Sequence, residues 1–91
     1  MRYNLIISQK AEGHIQSAYH WYEQQKNGLG NNFLDAIYIA LLSIQSNPMF
    51  YSFRRKNIRG CITKRFPYII LFYIKQNNIR VVSVFHMSMK P

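Results

Sequence analysis

The chain has 91 residues, 48% hydrophobic and 16% charged, enough for one packed core and too apolar for a disordered chain. Twelve Lys and Arg against three Asp and Glu give a net charge of +9, which points to a partner that is nucleic acid, a ribosome or an acidic protein. The apolar segments fall far short of the roughly 20 residues of a membrane helix, and Tyr3–Ile7 is short for the apolar core of a signal peptide. One cysteine, Cys61, cannot close an internal disulfide, so a reducing cytoplasm is the expected compartment.

Taken in order, Tyr3 to Ile7 reads as a short apolar strand. Ser8 is a candidate N-cap, its hydroxyl accepting from a first-turn amide. Ala11, Ile15, Ala18 and Tyr22 then recur at helical spacing, predicting an amphipathic helix over residues 9–26. Asn27-Gly28-Leu29-Gly30 stops it. Phe33, Ile37, Leu41 and Ile44 form the stripe of a second helix over residues 29–46, ended by Pro48. So short a connection makes the two helices an antiparallel hairpin.

From Phe50 the period changes to two. Residues 51–56 predict a short edge strand, its Arg54-Arg55-Lys56 discouraging further pairing. Residues 60–66 predict another, with Cys61, Thr63 and Arg65 opposing Ile62, Lys64 and Phe66. Pro67 belongs to a turn. Tyr68 to Ile74 are seven consecutive apolar or aromatic residues, the predicted central strand. Both its faces (Tyr68, Ile70 and Phe72; Ile69, Leu71 and Tyr73) are apolar and call for cover. Gln76-Asn77-Asn78 predicts a tight hairpin carried by asparagine, and residues 79–87 the last strand, with Val82, Val84 and His86 opposing Val81, Ser83 and Phe85. The expected architecture is a single two-layer α+β domain: N-terminal strand, antiparallel helix hairpin, mostly antiparallel β-meander.

The charge is unevenly placed. Residues 1–35 balance to zero, whereas residues 36–91 carry nine cations and no acid. Arg54, Arg55, Lys56, Arg59, Lys64 and Arg65 are six cations within twelve residues; on adjacent strands they would make one basic patch for phosphates or an acidic protein face. The competing reading is a solvated edge that resists aggregation. His14 and His20, about 240° apart around one helix, cannot share a metal, and no metal or cofactor is expected. Cys61 has no base and orienting acid near it in the sequence, which argues against a thiol nucleophile.

Several stretches in this order resemble the RelE/ParE superfamily of bacterial toxins from type II toxin–antitoxin modules. They are Ala18-Tyr19-His20-Trp21-Tyr22-Glu23, Gly28-Leu29-Gly30-Asn31-Asn32-Phe33, Ile44-Gln45-Ser46-Asn47-Pro48, Lys64-Arg65-Phe66-Pro67-Tyr68, and Val84-Phe85-His86 with Ser88 and Lys90-Pro91. The resemblance implies a growth-inhibiting toxin neutralised by a cognate antitoxin, with Tyr19, Trp21 and Tyr22 as candidate antitoxin contacts. RelE-like members cut messenger RNA on the ribosome, and ParE-like members poison DNA gyrase. Where RelE-like toxins commonly carry an arginine early on the central strand, this sequence has Ile69, or Tyr68 on a one-residue shift. Met89 stands in place of the usual terminal arginine. An aliphatic side chain cannot steady phosphorane-like charge, so the ParE-like reading is favoured, acting on gyrase through Arg54, Arg55, Lys56, Arg59, Lys64, Arg65 and Lys90. The ribonuclease alternative, acting on ribosome and messenger RNA, would rest on His86 as acid or base with Arg65, Lys64 and Arg59 as substitute cations. A detoxified relic is the third reading.

Overall fold

A computed structural model describes residues 2–88; Lys90 and Met89, two positions the sequence singles out, lie outside them. The elements are β1 (Asn4–Ile7), α1 (Gln9–Gln25), α2 (Leu29–Ser46), a single 3₁₀ turn (Pro48–Phe50), β2 (Phe53–Arg55), β3 (Ile58–Ile62), β4 (Tyr68–Lys75) and β5 (Asn78–His86). The five strands form one sheet in the order β1-β5-β4-β3-β2, so the apolar run of β4 is its middle strand. Strands β2 to β5 pair antiparallel in sequence, and β1 joins β5 in parallel.

The helix hairpin lies on one face of the sheet. Ser8 caps α1 as expected, its hydroxyl accepting from the Ala11 amide at 3.0 Å. Helix α2 starts differently. Its N-cap, Gly28 (φ +88°), brings no side chain, and Glu23 from the last turns of α1 takes that role. The Glu23 carboxylate accepts from the Gly28 amide at 3.0 and 3.2 Å and from the Gly30 amide at 3.0 Å. Gly30 is where the helices touch: a Cβ there would come within 2.8 Å of the Tyr19 ring and of the Tyr19 carbonyl oxygen.

Under the hairpin, Ala11, Ala18, Phe33, Ile37, Leu41 and Ile44 meet Ile70, Phe72, Ile79, Val81 and Val84. One end of this core is aromatic. Tyr22 stacks on Phe33 at 5.3 Å, and Phe66 and Tyr68 pack edge-on against both. Burial pushes the Tyr68 phenol up to about 12, with the Tyr22 phenol beside it adding to the shift.

Four details depart from the simple alternation. β3 ends at Ile62, four residues before the predicted end. The Thr63 hydroxyl donates to the Phe66 carbonyl, and the Thr63 amide donates to the Tyr68 carbonyl at 2.9 Å. The chain thus turns out of the sheet, with Arg65 at φ +36°, and drops Phe66 into the same core as Cys61. β2 is likewise shorter than predicted. A β-bulge lies where Leu71 pairs with Ser83 but Phe72 pairs with Val81. Val82 is the extra residue, so Val81 and Val84 both reach the core instead of opposing each other. In the β4–β5 hairpin it is Gln76, not an asparagine, that takes positive φ (+57°).

The expectation that both faces of β4 are covered holds on one side only. Among the described residues no helix covers the outer face. Ile69 is 4% exposed there and Leu71 and Tyr73 are half-buried. The Arg54 side chain runs beside Gly60 on this face, where a Cβ would meet Arg54 Cγ at 2.8 Å and Ile69 Cδ1 at 2.9 Å.

Candidate functional site

The single basic patch expected from the sequence does not form, because the sheet separates its members. Arg54 and Arg55 line a depression of about 540 Å³ on the outer face, with Lys10 from the start of α1. Lys64 and Arg65 line a groove of about 480 Å³ on the helix side, between α2 and β3. Lys56 sits in the β2–β3 turn at φ +41°.

Arg59 is committed elsewhere. Its guanidinium donates to the Tyr51 carbonyl at 2.7 Å and the Met49 carbonyl at 3.3 Å, and lies 4.0 Å from the Phe53 ring centroid. These bonds satisfy carbonyls that the 3₁₀ turn leaves open, so the Arg59 guanidinium is engaged in holding that turn. The Arg65 guanidinium lies 5.5 Å from the Phe66 ring.

His86 ends β5 with its ring edge-on to Tyr68 at 5.3 Å. Its Nδ1 accepts from the Ser88 amide at 3.1 Å and, by the same logic, from the Ser88 hydroxyl at 2.7 Å. An amide can only donate, so the neutral ring carries its proton on Nε2 and its lone pair is engaged. A general base needs that lone pair free. His14 is structural: its Nδ1 accepts from the Val84 amide at 3.2 Å, an amide on the stretch of β5 beyond the reach of β1, whose pairing ends at Ile7 and Val81. Among the described residues no group of three or more His, Cys, Asp or Glu could hold a metal. Cys61 is buried, which pushes its thiol up, while the Tyr51 hydroxyl bonded to it works the other way.

Of the candidate antitoxin contacts, Tyr22 belongs to the aromatic core and Tyr19 packs against it. Trp21 is 57% exposed. The larger exposed apolar surface is one the sequence reading missed. Tyr38, Ile39 (62%) and Leu42 project from α2, and Met49, Phe50 (75%) and Phe53 continue the surface. Ile39, Phe50 and Ile62 also line the groove between α2 and β3. The available signal was that Tyr38, Ile39 and Leu42 fall off the buried stripe of α2.

The strand, helix hairpin and mixed five-stranded sheet define an α+β fold shared with a solved structure. That structure is described as the chromosomal ParDE TA system from P. aeruginosa, with a TM-score of 0.79 at 15% identity over 93% of this chain and 96% of that one. At such identity the likeness speaks for the fold alone. Residues 5–91 match the family of the ParE toxin of the type II toxin-antitoxin system parDE, and the chain belongs to that family. A search of curated proteins finds no match. No described helix is long and apolar enough to cross a membrane.

Proposed function

We propose that this ParE-family toxin inhibits growth by binding DNA gyrase, without cutting RNA, and is neutralised by a cognate antitoxin. The observation that carries this reading is Ile69. Where a ribonuclease relative is expected to hold its strand arginine, Ile69 lies buried on an apolar face. Tyr68, the alternative position, is buried in the aromatic core, so neither alignment supplies a cation for phosphoryl chemistry. The engaged Nδ1 of His86 and the committed guanidinium of Arg59 point the same way.

The antitoxin reading is supported by the exposed surface of Tyr38, Ile39, Leu42, Met49 and Phe50. Contiguous apolar exposure of this kind marks an interaction site, and the groove beside it carries Lys64 and Arg65 with Asp35 as its one acid, suited to a largely apolar segment with acidic residues that folds on binding. Ile39→Glu is expected to weaken antitoxin binding roughly tenfold or more, since it sets a charge in an apolar contact.

The function is tested by inducing the chain alone in a bacterial host and reading DNA supercoiling and messenger RNA ends from one culture. Relaxed or broken DNA with intact transcripts is the expected result. Transcripts cut at codon-phased positions would overturn the reading, and growth without arrest would identify a detoxified relic.

A further inference from the structure

The outer face of the sheet carries a second apolar depression, built differently from the groove beside α2. Its floor is Ile58, Ile69, Leu71 and Phe85, with Met87 at the margin, and its rim carries Lys10, Arg54 and Arg55. The β4–β5 register adds Arg80, opposite Tyr73 and on the same face as Leu71. None of the three acids balances this charge. Glu23 is bonded to the amides of Gly28 and Gly30, Asp35 lines the other groove, and Glu12, two positions from Lys10, projects about 200° around α1 from it.

Arg54 gives the face its chemistry. Its side chain runs beside Gly60, where a Cβ would meet Arg54 Cγ at 2.8 Å and Nε at 2.9 Å, and it lines the depression together with the apolar floor. The exposed Arg54 guanidinium can offer a two-pronged bond to a carboxylate at the edge of that floor. It would serve a phosphate equally well, so the floor must decide between partners. Single-stranded RNA is held chiefly by stacking on aromatic platforms along a cationic track. Here the depression is mainly aliphatic, with Phe85 the one aromatic side chain lining it; Tyr73, beside Arg80 on the same face, is half-buried, so the face offers no run of exposed aromatic platforms.

We infer that the outer face, floored by Ile69, Leu71 and Phe85 and rimmed by Lys10, Arg54 and Arg55, is the target-contacting surface and takes a protein segment of alternating apolar and acidic side chains. The inference rests on the reading that the target is a protein. It separates the two partners by face: the antitoxin on the α2 side, the target on the sheet.

Two measurements on the full chain test it. In the first, isotopically labelled protein is titrated with a synthetic peptide of alternating leucine and glutamate, with its leucine–lysine counterpart, and with oligouridine. The acidic peptide is expected to shift the amides of Leu71, Ser83 and Phe85, and Lys10→Glu with Arg55→Glu to weaken it roughly tenfold or more. Both substitutions are exposed and leave Arg54 in place. Shifts confined to the α2–β3 groove, the absence of shifts, or tighter binding of oligouridine on this face would overturn the inference. In the second, the same double variant is compared with Ile39→Glu in purified gyrase supercoiling. The double variant should lose roughly tenfold or more in potency with antitoxin binding intact, and Ile39→Glu the reverse. Undiminished inhibition by the double variant would sink the assignment. If the wild-type protein leaves gyrase untouched, the gyrase reading falls, and the peptide map alone then decides the face.

Discussion

Glu23 gives a quantitative test of how the helix hairpin is held. Its carboxylate accepts from the amides of Gly28 and Gly30 at 3.0 Å each, at the start of a helix whose N-cap has no side chain. Bonds to a charged acceptor contribute about 1.5–3 kcal/mol each, and a carboxylate at a helix N-terminus about 0.3–1 kcal/mol more. Glu23 is half-buried and water replaces part of what is lost, so the low end applies. Glu23→Ala is expected to cost about 2–3 kcal/mol, with both amides left open. Glu23→Gln keeps one carbonyl acceptor and loses the charge, for about 1 kcal/mol. In urea, at a slope near 1 kcal/mol/M, the midpoint should fall by about 2–3 M for alanine and about 1 M for glutamine, with the slope unchanged. An alanine variant within about 0.5 kcal/mol of wild type, the range of ordinary surface substitutions, would refute the capping role. Equal losses for both variants would show that only the charge matters.

Gly30→Ala places a Cβ within 2.8 Å of the Tyr19 ring and carbonyl. The helices must part, at a cost of about 1–3 kcal/mol, read as a drop in melting temperature of about 4–8 °C per kcal/mol. For Tyr68, the phenol is protonated in both states below pH 10; above it the unfolded chain ionises, while the folded phenol holds its proton to about pH 12. Stability therefore falls as pH rises through that window, by about 1 kcal/mol at pH 11, and denaturation of Tyr68→Phe should show a flatter dependence. His86→Ala combined with Arg65→Ala is expected to leave growth arrest intact; loss of arrest with the fold and antitoxin binding preserved would restore the ribonuclease reading.

Much of this fold is visible in periodicity. The stripe Phe33, Ile37, Leu41 and Ile44 is buried along its whole length, and the unbroken apolar run of β4 does mark the middle of the sheet. What the sequence hid was decided by contacts between distant segments. Val81-Val82-Ser83-Val84 reads as plain alternation, and only the match to β4 reveals that Val82 is extra. Thr63 alternates correctly with Cys61, yet its hydroxyl bonds the Phe66 carbonyl and takes the chain out of β3. Arg59 resembles its cationic neighbours until the 3₁₀ turn brings two carbonyls to it. Glu23 did leave a trace: a helix opening on glycine needs its acceptor from elsewhere, and an acid lies five residues upstream.

The same long-range effect governs the function. A net charge of +9 invites the idea of a phosphate-handling site, but stabilising a pentavalent phosphate requires cations that converge on one point. Here the sheet divides them. Arg54 and Arg55 face outward with Lys10, Lys64 and Arg65 border the α2 groove, and Arg59 is held by backbone carbonyls. Each face sets cations beside apolar surface, with Asp35 also lining the α2 groove, which suits recognition of an apolar protein segment bearing acidic residues better than bond cleavage. Ile69 is buried and lines an apolar floor with Leu71 and Phe85, the arrangement that the proposed protein-binding role requires of the middle of the sheet.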